Sequence, residues 1–122
     1  MRWLIALAVA GLVTTPSFAA GPDYLDHLLK WKVAEAPRRC IFPDHSVQPE
    51  VIDGTAIVYR DARYTYVARF KGGCPALRED RRMTVRGAGG QLCENDPVRV
   101  SETTGHDFGR CTFDQFVPYR KR

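Results

Sequence analysis

The chain has 122 residues, 18 lysines and arginines against 14 aspartates and glutamates, and a net charge of +4. That length suits a single small domain, and basic and acidic residues interspersed along it argue against a dedicated nucleic-acid binder, which gathers its positive charge on one face. The longest apolar run, residues 3–13, is well short of the roughly 20 residues a membrane-spanning helix needs.

The first residues have the three parts of a secretory leader: Arg2, the apolar run, and a polar end broken by Pro16. Ser17 and Ala19 are small and occupy the two positions a signal peptidase reads, so residues 1–19 are expected to be removed after Ala19. No second long apolar segment follows, and the remaining chain is expected to carry no membrane span. Residues 20–39 read as a helix and linker. Asp23 is a candidate N-cap; Tyr24, Leu25, Leu28, Leu29 and Trp31 are spaced as one face of an amphipathic helix. Pro37 ends the segment after a fade near Val33, and the helix is expected to dock on the core.

From Cys40 onward the chain reads as short strands separated by turns, with residues 40–119 forming a β domain and residues 120–122 a basic tail. Asp53-Gly54 marks a turn. Residues 55–60 and 64–70, rich in β-branched and aromatic side chains, flank a short polar loop and form the clearest hairpin. Residues 75–80 are expected to make a helical turn. Residues 82–86 alternate polar and apolar like a half-buried strand, and residues 87–90 are expected to turn it back into a strand at 91–93. Strands at 98–101 and 110–113 follow, with residues 116–119 packing back. The fold class is mainly β: a small antiparallel, barrel-like sheet with one N-terminal helix, stapled by disulfides.

Four cysteines remain after the leader: Cys40, Cys74, Cys93 and Cys111. An even number in an exported chain implies disulfides. No two are close enough for the paired spacing of zinc, redox or haem motifs. Four cysteines allow three pairings and sequence does not choose among them; the strand order above favours Cys74–Cys93 across one hairpin region and Cys40–Cys111 between the first and last strands.

Catalytic signals are sparse. After the leader the only serines are Ser46 and Ser101, neither in a nucleophile-elbow motif. His27, His45 and His106 are scattered without metal-ligand spacing, although His45 and His106 lie in loops beside Asp44 and Asp107, with Asp96 in a third loop. The Gly-rich residues 87–90 lack the following helix a phosphate loop requires. Arg82 and Arg86 project to the same strand face with Thr84 between them, and arginine's planar fork suits carboxylate or phosphate partners, so these two are the candidate binding residues. Tyr59, Tyr64 and Tyr66 are expected to make cross-strand pairs and core. No metal site and no cofactor is implied.

The cysteine segments together, Cys40-Ile41, Gly73-Cys74-Pro75-Ala76-Leu77, Gln91-Leu92-Cys93 with Asp96, and Arg110-Cys111 with Phe116 and Pro118, resemble a family of small exported Gram-negative proteins known only as a domain of unknown function. The resemblance spans residues 39–119. Members often carry glycine between the last cysteine and the phenylalanine, where this chain has Thr112, Phe113, Asp114 and Gln115. It implies a periplasmic location and no particular activity. The expected function is a non-catalytic binding or envelope-associated module with a periplasmic or envelope partner. The alternatives are a small enzyme with a loop-assembled His/Asp site, and a binder of anionic surfaces through its arginines.

Overall fold

The computed structural model describes residue 11, residues 21–85 and residues 88–122. Apart from residue 11, the leader expected over residues 1–19 lies outside the described residues, as do Arg86 and Gly87. The elements run α1 Pro22–Leu29, β1 Lys32–Ala34, β2 Cys40–Ile41, β3 Glu50–Ile52, β4 Ala56–Arg60, β5 Thr65–Phe70, β6 Arg82–Val85, a 3₁₀ turn Ala88–Gly90, β7 Leu92–Cys93, β8 Pro97–Ser101 and β9 Asp107–Lys121. The main sheet is antiparallel in the order β3-β4-β5-β9-β8-β6, with β1 also on β9, and it curls into a half-barrel. β2 and β7 form a separate two-stranded ladder.

Local chemistry explains the first elements. Pro22 opens α1 because its fixed φ suits the first helical position, where an N–H has no intrahelical partner. Gly21, not Asp23, is the N-cap and no side chain caps the helix; Asp23 lies in the first turn, where its charge faces the positive end of the helix dipole. The helix ends at Leu29, short of the expected Val33, because Lys32, Val33 and Ala34 pair with Lys121, Arg120 and Tyr119. The N-terminal linker and the basic tail thus include two paired strands of the sheet. The expected hairpin is present: Arg60 pairs Thr65 and Tyr59 pairs Tyr66. Its turn is tied by the Asp61 carboxylate, which accepts the amides of Arg63 and Tyr64, each at 2.8 Å.

The two faces of the hairpin serve two cores. Ile57, Tyr59, Tyr66, Ala68 and Phe70 point into the half-barrel with Val98, Val100, Phe113 and Phe116. Ala56, Val58 and Val67 point out, together with Ile52, and are covered by Leu25 of α1. That accounts for the unbroken burial of residues 56–59, which lack the alternation of a half-solvated strand.

Three further expectations are corrected. Residues 75–80 are two successive turns, Leu77 N–H to Cys74 C=O and Arg81 N–H to Arg78 C=O, both 3.1 Å, and not a helical turn. Residues 110–119 belong to one continuous strand, Asp107–Lys121, which stays paired through two register shifts. Pro118 is accommodated there because its carbonyl accepts Glu35 N–H at 2.8 Å, so the absent N–H falls on the same side, where β1 has already left the ladder.

The third correction concerns the cysteines. The bridges are Cys40–Cys93 and Cys74–Cys111, not the favoured Cys74–Cys93 and Cys40–Cys111. Residues 91–93 do not return against β6. They cross to β2, where Cys40 lies directly opposite Cys93 with Cα atoms 4.0 Å apart, and β6 pairs instead with β8. Cys74, fully buried just beyond β5, meets Cys111 in the middle of β9. Ile41 and Leu92 of the small ladder face the main core, so the first bridge holds a cover on the half-barrel.

Candidate functional site

β3 and β6 are the two end strands of the sheet path, and the half-barrel is open between them. A cleft of about 680 Å³ occupies that seam, lined from the β3 side by Gln48, Pro49, Glu50 and Val51 and from the β6 side by Arg81, Arg82 and Met83. Pro49 and Met83 also line an adjoining hollow of about 400 Å³, whose other walls are His45, Tyr59, Val85, Gly90 and Leu92. The polar mouth and the more apolar hollow therefore share two walls.

The polar mouth is organised around Glu50. Its carboxylate accepts Arg60 Nη2 at 3.0 Å and the Tyr24 hydroxyl of α1 at 2.5 Å. Burial raises the Glu50 pKa, but the bonds from Tyr24 and Arg60 outweigh it and hold the carboxyl below its usual range. Tyr24 is shifted upward, first by that same hydrogen bond. The helix is thereby fastened to the wall of the cleft, a link between Tyr24 and Glu50 that residue order alone does not indicate.

The hollow is organised around Tyr59. Its side chain packs edge-on against Phe113 and is 7% exposed, yet its hydroxyl has no hydrogen-bond partner among the described residues. Burial drives its pKa far above the usual tyrosine range, so the hydroxyl stays protonated and available as a donor. Tyr66, its cross-strand neighbour, is satisfied differently: its hydroxyl donates to Asp61 at 2.6 Å, and burial together with Asp61 pushes its pKa up to about 12. The expectation that these tyrosines are paired core residues holds for packing, while the open hydroxyl of Tyr59 distinguishes it from Tyr66. His45 closes the hollow, its Nε2 donating to the Gly90 carbonyl at 2.9 Å; a side chain at Gly90 would approach that nitrogen to 2.7 Å.

Arg82 is exposed at the mouth of the seam, at the start of β6. Arg86, its expected companion, lies outside the described residues. The loop His and Asp residues are dispersed. His45 is in the seam, His106 lies in the β8–β9 turn against Phe108, and His27 is exposed on α1. Asp44 accepts Ser46 N–H and Oγ–H, Asp96 accepts Cys93 N–H at 2.8 Å, and Asp107 accepts Gly109 N–H at 2.8 Å, so each carboxylate has a turn-forming role. Among the described residues no three His, Cys, Asp or Glu side chains converge as a metal site, and no helix is long and apolar enough to cross a membrane.

Fold and cleft define a class, a disulfide-stapled antiparallel half-barrel with an open seam. No family model, curated protein or solved structure matches the chain.

Proposed function

We propose that this chain is an exported, periplasmic, non-catalytic module that holds a partner or ligand in the seam between β3 and β6. The single observation that carries the reading is Tyr59: its ring is fixed in the core, while its protonated hydroxyl meets solvent in an open hollow without a hydrogen-bond partner among the described residues. No buried side-chain polar atom is left unpartnered among the described residues, so the Tyr59 hydroxyl reaches solvent in the hollow, and an occupant that offers an acceptor exchanges water for a direct bond worth about 0.5–1.5 kcal/mol net. Met83, Val85 and Leu92 supply apolar contact beside it, and Arg81, Arg82 and Glu79 supply polar contacts at the mouth. Two disulfides are compatible with export into an oxidising compartment, and the leader-like residues 1–19 and the resemblance to exported four-cysteine proteins support the same address.

The test is capture from periplasmic extract with the oxidised protein lacking residues 1–19, run beside Tyr59→Phe and Arg82→Glu. Tyr59→Phe keeps the ring and removes only the hydroxyl, and Arg82→Glu changes an exposed side chain. A ligand retained by the wild type and weakened about tenfold by Tyr59→Phe, the worth of one net hydrogen bond, supports the seam as the site. Equal retention by all three proteins, or turnover of a substrate abolished at His45 or His106, overturns it.

A further inference from the structure

On the outer face of the same sheet, away from the seam, β6, β8 and β9 carry a row of side chains in direct register: Thr84 opposite Arg99, and Arg99 opposite Arg110. Their neighbours Val85, Val98, Val100 and Cys111 belong to the inward face, so alternation places the row outside. Directly opposed residues of an antiparallel pair have Cβ atoms about 4.5–5.5 Å apart, and like charges there destabilise the sheet. Arg99 has a partial counter-charge in Asp107, 3.7 Å from its Nε, an approach that leaves the terminal nitrogens of the guanidinium free. Arg110 has no carboxylate partner among the described residues. Thr84, Pro97, Arg99 and Arg110 together line a hollow of about 150 Å³.

The geometry points to a binding site for a tetrahedral oxyanion, a phosphate monoester group, held between the guanidinium groups of Arg99 and Arg110 with the Thr84 hydroxyl as a third donor. Two guanidinium forks suit such a group better than ammonium groups do, because each presents two parallel N–H donors to a pair of oxygens. The bound anion also supplies Arg110 with a counter-charge and adds to the one that Arg99 has in Asp107. The site requires nothing of the seam, and either can fail without the other.

The site makes stability and binding move in opposite directions, and the experiment reads both. The isotopically labelled, oxidised protein is titrated with inorganic phosphate while amide shifts are followed, and thermal midpoints are measured with and without phosphate. The expected result is saturable shifts centred on Thr84, Arg99 and Arg110 and a midpoint that rises with phosphate. Arg110→Gln, which relieves the like-charge contact, raises the midpoint in phosphate-free buffer, weakens phosphate binding about tenfold or more and removes the phosphate-dependent rise. A second arm uses vesicles of phosphatidylcholine with and without phosphatidic acid. Flotation that requires phosphatidic acid and is lost in Arg110→Gln assigns the phosphate to a lipid headgroup, and saturation by inorganic phosphate without flotation assigns it to a small soluble anion. Shifts scattered over all basic residues, including Lys71 and Arg120, and unchanged in Arg110→Gln overturn the proposal, as does the absence of any shift.

Discussion

Asp61 is a small residue with a large share of the best-formed hairpin. One oxygen accepts two turn amides and the other accepts the Tyr66 hydroxyl. Burial works to raise its pKa, but the Tyr66 bond, the amides of Arg63 and Tyr64 and the nearby Arg38 guanidinium outweigh burial, so the carboxyl ionises below its usual range. A carboxyl with a depressed folded-state pKa contributes stability that is present above the unfolded value of about 3.9 and lost as pH falls through the folded value. Asp61→Asn is therefore expected to lower stability at neutral pH by about 1.5–3 kcal/mol, the scale of one hydrogen bond to a charged group. The gap between variant and wild type should close as pH drops below about 4. Urea midpoints measured across that range check the expectation, and a gap that stays constant with pH would show that the charge plays no part.

At the scale of elements, α1 is held by few contacts of high quality. Leu25 is 1% exposed and seals Ile52, Ala56, Val58 and Val67, while Tyr24 fixes the helix to Glu50. Leu25→Ala should cost about 2–5 kcal/mol, the range for emptying a buried leucine site, read as a lower urea midpoint with the β-sheet circular-dichroism signal retained below it. A loss under about 0.5 kcal/mol would mean the helix is dispensable to the core. The helix itself and the β4–β5 hairpin are legible in the sequence because their signals are local: the spacing of Leu25, Leu28 and Leu29 for one, and two β-branched and aromatic runs around Asp61 for the other. The strand expected at 91–93 is present as β7, but its partner is not legible, because it pairs with β2 more than 50 residues away instead of with β6; nor is the full length of β9, because Pro118 reads as a breaker until β1 is seen to leave its side of the ladder. The candidate sites divide the same way. Strand alternation alone places Arg82 and Thr84 on one face, but only the register adds Arg99 and Arg110, and only the folded packing distinguishes the open hydroxyl of Tyr59 from the satisfied one of Tyr66.

For the whole molecule, a half-barrel open between β3 and β6 depends on its bridges. Cys40–Cys93 spans 53 residues and Cys74–Cys111 spans 37. In the chain-entropy model each is worth about 4 kcal/mol, against the roughly 5–15 kcal/mol that keeps a domain folded. Their surroundings differ: Cys74 is fully buried in the main core and only its partner Cys111 is partly exposed, whereas Cys40 and Cys93 are both partly exposed on the small ladder. Reduction depends on access as well as on thiol chemistry, so limiting reductant should open Cys40–Cys93 first. The sequence makes this measurable, because tryptic cleavage places the four cysteines in four separate peptides, residues 40–60, 72–78, 87–99 and 111–120. Mapping the unreduced protein should link 40–60 to 87–99 and 72–78 to 111–120. After partial reduction and alkylation the label should appear first in 40–60 and 87–99, while 72–78 and 111–120 remain joined. If the map instead joined 72–78 to 87–99, Leu92 and Cys93 would have to pair beside β6, the small ladder over the core would not exist, and the hollow lined by Tyr59 and Leu92 would lose a wall.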